Sequence, residues 1–503
     1  MAVQSILIFI SALTCLIAFP PLNLYWLQLV SLIPFLYVLH RCYIYFFTTH
    51  YITQLKWFTF IGFVFGLFYM GLSNVWVFEL VEFSSWVAMV VLFFVYTVYE
   101  ALFFALMTLC LRLCNGKFML FPFIWVIFEW LKSIGPYGSP NGILGYSQAN
   151  NDLINHLASA GGIFFVSFVC VLINVCIFLF LIKSAQEYHH RNLIYLVVIV
   201  SILLSSFYYA PPLLSSSQSI SVASIQANHV MPFKFKRKNR PLIRQDYLRL
   251  SQLAFDRYKP DLIIWPETIT ASLNLEFKSL MTPIQRMTAT NTAFIFGSPR
   301  KENNHYYNSA AFVTSQTISA YDKIQLMPFG EYWPLKRVFQ FLRLSNIIPG
   351  SEYSHGTSPT LFEFNTIKLA PIICLESTNS SFSRYYANQG ADILISLVNN
   401  AWFKDSSIAA RQLQMLQFRS IEVGLPSIQS ANMGFTCFIN ATGKITGLLD
   451  KYQQDYVYQS IDCIAINTPF RTWGNAIVLV SFIIILLTLL RRYYLYKHVL
   501  DNP

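Results

Sequence analysis

Apolar stretches close to 20 residues long, the length that crosses the hydrocarbon core of a bilayer, crowd the N-terminal part of this 503-residue chain and then stop. They fall at roughly 5–20, 24–44, 57–78, 86–111, 118–134, 161–183 and 192–210, with one more at roughly 475–490. Seven spans thus precede a long mixed segment and one follows it. Hydrophobic residues make up 55% of the chain and charged ones 12%, against about 45–50% and about 25% in soluble proteins. The chain reads as a membrane protein with a soluble part. Residues 1–5 carry no basic side chain, and Phe19-Pro20-Pro21 leads into the next apolar run without a small-residue cleavage site. The first span is therefore expected to stay as a helix and not be removed as a signal peptide.

Short-loop charges orient the spans. With the N-terminus inside, the cytoplasmic connections carry Arg41 and Lys56, Arg112 and Lys117, Lys183 and Arg191, and the tail carries Arg491, Arg492 and Lys497. The opposite loops hold Glu79, Glu82 and Asp152, with Lys132 the one dissenting charge. This is the positive-inside pattern, and an odd number of spans then delivers residues 212–472 to the outer face. The expected division is a seven-helix membrane region over 1–211, an extracytoplasmic domain over 212–472, and an eighth span with a basic tail over 473–503.

Within the mixed segment, β-rich runs are expected to form strands at 220–225, 262–265, 293–297, 310–314, 369–374, 393–397, 426–430 and 436–439. Helical patterns lie between several of them, at 245–258, 380–390 and 408–424, and the alternation predicts an α/β domain with sheets covered by helices. Three strand ends carry reactive types: Glu267 after Leu262-Ile-Ile-Trp-Pro, Lys323 in Tyr321-Asp-Lys, and Cys374 in Pro371-Ile-Ile-Cys-Leu-Glu376. A cysteine nucleophile needs a cation to lower its pKa and a base to take its proton. Glu267 suits the base. Lys323, with the backbone N–H of Leu375, suits an oxyanion. Taken singly, each has a plain alternative: a core cysteine, a solvated carboxylate, a surface lysine.

The ordered Glu267, Lys323 and Cys374 set, with Trp265-Pro-Glu267 and Cys374-Leu-Glu376, resembles the nitrilase superfamily. The spans before and after it make the chain similar to that superfamily's membrane branch, the apolipoprotein N-acyltransferases. Further matching strings are Met327-Pro-Phe-Gly-Glu331, Asn399-Asn-Ala-Trp402-Phe403, Arg419-Ser-Ile-Glu422-Val-Gly-Leu-Pro426, Ala431-Asn432-Met-Gly434 and Gly145-Tyr146-Ser147-Gln148. The resemblance implies a nitrilase-like α-β-β-α sandwich on a bundle of eight transmembrane helices. It also implies transfer of a phospholipid acyl chain, usually the sn-1 chain of phosphatidylethanolamine, through a Cys374 thioester to the α-amino group of a diacylglyceryl-cysteine. Glu331 and Glu376 are then supporting residues, and Trp402, Phe403, Asn432 and Tyr146 are substrate-binding candidates. The chain departs from the family pattern at Leu375, where an aromatic is usual, at Asn400, where aspartate is common, at Gln412, where histidine often occurs, and at Met433. The tryptophan expected before Gly145 is also missing.

Other features remain open. Glu129 is read either as meeting a lipid head group or incoming amine, or as making an interhelical hydrogen bond, and Glu100 has no evident partner. Lys234, Lys236, Arg237, Lys238, Arg240 and Arg244 are read either as attracting anionic head groups or as a solvated loop; nucleic acid is not expected as a partner on an outer face. Among the nine cysteines, any disulfide in the outer domain would join Cys437 and Cys463. No ligand spacing for a metal and no Gly-rich phosphate loop appear, so no cofactor is expected. The expected setting is the bacterial inner membrane, with a monomer facing the periplasm. A membrane-tethered amidase and an inactive lipoprotein-binding scaffold are the rival readings.

Overall fold

The computed structural model describes residues 2–46, 51–182, 197, 213–214, 218–332 and 352–501. The chain divides into two compact units, one of Met1–Phe78, Trp86–Ala210 and Thr472–Pro503, the other of Glu79–Ser85 and Pro211–Arg471.

The first unit is helical. Its helices are α1 (Ala2–Ile17), α2 (Ile33–Tyr45), α3 (Tyr51–Ser73), α4 (Trp86–Leu113), α5 (Phe121–Ser133) and α6 (Ala158–Leu181), with a C-terminal helix Ala476–Asp501. On α4, Val91, Phe94, Val95, Leu102 and Leu106 are exposed, while Glu100, Ala101, Ala105 and Thr108 are buried. Polar groups turned inward and apolar ones outward invert the arrangement of a helix in water and suit a lipid surround. Helices α3 and α4 meet through Gly62 and Gly66, where an added Cβ would come within 2.1 Å of Thr108 Oγ1 and 2.7 Å of Ala101 Cα. Small residues four apart let two backbones approach without lipid between them.

Among the described residues, five stretches are long and apolar enough to cross a membrane: Tyr25–Tyr45, Tyr51–Ser73, Trp86–Leu113, Asn155–Leu181 and Ala476–Leu495. The expected count of eight is not reached among the described residues. Helix α1 has 16 residues and α5 only 13; Pro122 at the start of α5 and Gly135-Pro136 beyond its end bound it on both sides. The expected span at 192–210, with Lys183 and Arg191 before it, lies outside the described residues.

The second unit is a sandwich. Apart from a short antiparallel pair, Leu213–Leu214 with Ala465–Ile466, its strands are β1 (Ser219–Gln226), β2 (Leu262–Ile264), β3 (Ala293–Glu302), β4 (His305–Val313), β5 (Ile318–Asp322), β6 (Phe362–Phe364), β7 (Ile367–Ile373), β8 (Ile393–Asn399), β9 (Ser427–Asn432), β10 (Thr436–Ile439), β11 (Ile445–Leu449) and β12 (Asp455–Asp462). They form two six-stranded mixed sheets, ordered β12-β1-β2-β3-β4-β5 and β11-β10-β9-β8-β7-β6. Strand side chains alternate between faces, so each sheet fills two layers. Val222, Leu262, Ile264 and Ile295 meet Leu369, Ile373, Ile395 and Ile428 in the central core. Ala223, Ile263 and Phe294 point the other way and are covered by α7 (Arg240–Tyr258) and α8 (Lys278–Thr288). Ala370, Ile372 and Leu394 are covered by α9 (Ser380–Asn388) and α10 (Ile408–Val423). The layers run helix, sheet, sheet, helix, as the resemblance implied.

Strands β5, β6, β11 and β12 and helix α8 were not expected from the sequence. All four strands are sheet edges, where one side is open and the apolar signal thins. Cys437 packs in the outer layer under α9 and α10, whereas Cys463 packs in the central core, and both are free.

Candidate active site

Glu267 and Cys374 follow the inner strands β2 and β7 of the two sheets, and Lys323 follows the antiparallel edge strand β5. Beyond β2, Trp265 is anchored by its indole N–H donating to Ser251 Oγ at 2.8 Å. The next residues turn tightly over β3, with Gly297 N–H donating to Pro266 O at 3.1 Å and Ile269 N–H to Gly297 O at 3.1 Å. A Cβ at Gly297 would lie 2.3 Å from Thr268 N and 2.5 Å from Glu267 Cα. Only glycine admits this approach, and it is what sets Glu267 in place.

Lys323 directly follows β5 and is 1% exposed. Its Nζ lies 3.2 Å from Glu267 Oε1 and 2.9 Å from Glu331 Oε2. Asn308, on β4, donates through Nδ2 to both carboxylates, at 2.8 Å to Glu267 Oε1 and 2.6 Å to Glu331 Oε1. Met327 N–H adds a 2.7 Å bond to Glu331 Oε2. Burial alone lowers the Lys323 ammonium, but Glu267 and Glu331 outweigh it and hold the group well above the usual lysine range. Lys323 is therefore a fixed cation, suited to an oxyanion and not to proton abstraction.

Cys374 opens a short turn, Cys374–Thr378, at the end of β7. Its φ is 50°, in the left-handed region that a side chain rarely adopts. Such strain persists only where neighbours hold it. Glu376, fully buried, supplies that hold: Oε2 accepts from Ile373 N–H at 2.8 Å, and Oε1 accepts from Tyr321 O–H at 2.8 Å, Ile324 N–H at 2.7 Å and Gln325 N–H at 3.1 Å. One carboxylate thus ties the cysteine turn to the segment carrying Lys323. Burial pushes the Cys374 thiol from an ordinary 9.0 up to about 12, and Glu267 and Glu331 add to this against the opposing pull of Lys323. The expectation that a nearby cation lowers this thiol's pKa is thus corrected: Lys323 acts in that direction, but burial and two carboxylates win. The resting group is a neutral thiol, and it could act as a nucleophile only after losing its proton.

Sequence reasoning did not anticipate Asn308 or Lys234 here. Lys234 is 2% exposed, its Nζ donates to Glu267 O at 3.4 Å, and burial brings its ammonium down to about 7 against the pull of Glu267. The basic run around it had offered only a surface reading, but Lys234 points inward while Lys236, Arg237 and Lys238 are exposed.

The remaining expected residues fall in several places. Trp402 packs edge-on against Phe83, with ring centroids 4.8 Å apart, in a small cluster with Met231, Ala401 and Met433. Phe403, which follows the same turn, is half-buried. Residues 79–85 belong to the sandwich unit, and Glu82 pairs with Lys404 at 2.5 Å. Asn432 is fully engaged: its amide donates to His229 O at 2.9 Å and Asn399 Oδ1 at 3.0 Å, and accepts from His229 N–H at 3.0 Å. It braces strand ends of the two sheets. Leu375 is half-buried beside the thiol. Tyr146 and Glu129 are buried in the helical unit, where Glu129 Oε1 accepts from Trp125 Nε1 at 2.7 Å and Leu144 N–H at 2.8 Å.

Residues 11–176 match the family described as apolipoprotein N-acyltransferase N-terminal domain, and residues 221–467 match carbon-nitrogen hydrolase. Curated relatives include an apolipoprotein N-acyltransferase of Geobacter metallireducens, 26% identical across 66% of this chain and 66% of that protein. Another is apolipoprotein N-acyltransferase 1 of Treponema denticola, 24% identical across 92% of this chain and 90% of that protein. A crystal structure of a carbon-nitrogen hydrolase from Helicobacter pylori is 15% identical and covers 49% of this chain and 89% of that one, with a TM-score of 0.37.

Proposed function

Because the chain belongs to the apolipoprotein N-acyltransferases, membrane acyltransferases of the carbon-nitrogen hydrolase superfamily that act in lipoprotein maturation, we propose a two-step transfer through Cys374, with phosphatidylethanolamine as acyl donor. In the first step Sγ attacks the ester carbonyl while Glu267 takes the thiol proton. The oxyanion forms beside Lys323 and the Leu375 N–H. The ester C–O bond then breaks, and Glu267 returns the proton to the departing glycerol oxygen, leaving a thioester and a lysophospholipid. In the second step the neutral α-amine of a diacylglyceryl-cysteine attacks the thioester. Glu267 takes the amine proton, the C–S bond breaks, and the thiolate is reprotonated as the amide leaves.

The observation that carries this reading is the bracket of Glu267 and Glu331 around Lys323, next to a neutral, strained thiol. A thiol pushed up to about 12 needs a general base in contact with the reaction, and a lysine held charged needs an anion to stabilise. Trp402 and Phe403 are proposed to flank the acyl chain, the basic loops and tail support a periplasmic placement of residues 212–472 on an inner-membrane enzyme, and the enzyme is proposed to act as a monomer. The test is incubation of the purified protein with phosphatidylethanolamine radiolabelled in its sn-1 chain. A hydroxylamine-sensitive label on the wild type that is absent from Cys374→Ala is the expected result. No label on the wild type would sink the reading, and label retained in the variant would remove Cys374 from it.

A further inference from the structure

Two of the positions at which the chain departs from its family pattern meet in the fold. Asn400 opens the turn Asn400–Trp402 after β8, and Gln412 lies in the second turn of α10. Asn400 Nδ2 donates to Gln412 Oε1 at 2.8 Å. Gln412 Nε2 in turn donates to Cys374 O at 3.0 Å and Ser377 Oγ at 3.4 Å, and lies 3.9 Å from Cys374 Sγ. The orientation of both amides follows from one fact: the Cys374 carbonyl only accepts, so Gln412 must turn its NH2 toward it, which leaves its oxygen for the NH2 of Asn400. Both side chains are buried, at 1% and 7% exposure. Asn400 Oδ1 has no hydrogen-bond partner among the described residues and sits where a Cβ on residue 434, a glycine here, would come within 2.3 Å.

An aspartate and a histidine at these two places would form an ionisable pair facing a thiol, the arrangement that activates cysteine nucleophiles. Asparagine and glutamine keep the hydrogen-bonded shape and have no proton to exchange at ordinary pH. We infer that Asn400 and Gln412 form a neutral amide relay that orients the Cys374 thiol and ties it to the Trp402 turn, leaving thiol activation in this protein to Glu267 alone. The titratable groups acting on Cys374 are Glu267, Lys323 and Glu331, and the relay adds none. Both residues are positioning residues in this scheme, which rests on Cys374 being the nucleophile proposed above.

Alkylation of Cys374 by iodoacetamide, followed by mass spectrometry on its peptide in the purified full-length protein from pH 5 to 9, tests the relay without lipid. The wild-type rate is expected to rise smoothly with pH. Gln412→Leu is expected to slow it by about three- to tenfold throughout. Asn400→Ala, which frees the amide without touching the cysteine turn, is expected to slow it less and serves where Gln412→Leu does not fold. The pair Asn400→Asp with Gln412→His is expected to add a step between about pH 5 and 8, where histidine titrates, and to react faster than Gln412→His alone. Wild-type rates in both Gln412→Leu and Asn400→Ala, or no added step in the folded double variant, would overturn the inference. Failure of lipid labelling with these alkylation effects intact would count against the acyl-transfer reading and not against the relay.

Discussion

Lys323 faces two carboxylates that also share one amide donor, Asn308, so the charge of the centre depends on a neutral residue between two acids. Asn308→Asp would set a third carboxylate against a single lysine and remove the shared donor. Acyl-enzyme formation is expected to fall by at least about 100-fold, read in single-turnover labelling; a rate within a few-fold of wild type would refute the shared-donor role. The thiol makes a pH prediction. Its pKa is raised from 9.0 to about 12, so the neutral form is favoured in the folded state. Any stability it lends is fully present below pH 9 and lost only as pH climbs toward 12. Between pH 6 and 9 Cys374 alkylation should rise by up to about tenfold per pH unit without levelling, and a plateau near pH 7 would contradict a buried neutral thiol.

At the scale of elements, the site is a set of turns at strand ends, each held by a different device. The Cys374 turn is pinned by the four donors to Glu376, whose carboxyl burial pushes up to about 7. The Glu267 turn is pinned by close packing on Gly297. Gly297→Ala is expected to cost about 1–3 kcal/mol, as overpacking does, and to displace Glu267. Thermal unfolding together with the single-turnover rate checks this, since a variant that loses stability but acylates normally would show that the turn does not set the base. Strand ends are where α/β folds expose side chains, which is why short apolar runs ending in Glu267, Lys323 and Cys374 could be read from the chain. Lys234 was hidden because a basic run looks alike whether one member points inward or all point out.

At the scale of the whole molecule, the helical unit carries its own buried polar network. Glu100, left without a partner by sequence reasoning, lies 3.5 Å from Lys132 Nζ and accepts from Asn74 Nδ2 at 2.6 Å. Lys132 also donates to Ser139 O at 3.1 Å and to Asn141 O. It is therefore an interior group, and its dissent from the positive-inside pattern has a physical cause: a lysine paired within the protein is not a loop charge facing one side of the membrane. Lys132→Met leaves Glu100 without its cation and is expected to destabilise by about 3–5 kcal/mol, while adding Glu100→Gln should recover most of that. Thermal unfolding in detergent checks the cycle, and additive losses would refute the pairing. Composition, apolar run length and the residue types at strand ends by themselves determined that this chain is a membrane protein with an α/β domain and pointed to cysteine, lysine and glutamate as its candidate centre, because burial patterns and side-chain chemistry are local in sequence. Only the tertiary structure decided that Asn308 joins the two acids, that Lys234 turns inward, that Asn400 meets Gln412 and that Lys132 pairs with Glu100. Each of those depends on which distant backbone segments come within hydrogen-bond reach, and that distance is a property of the fold.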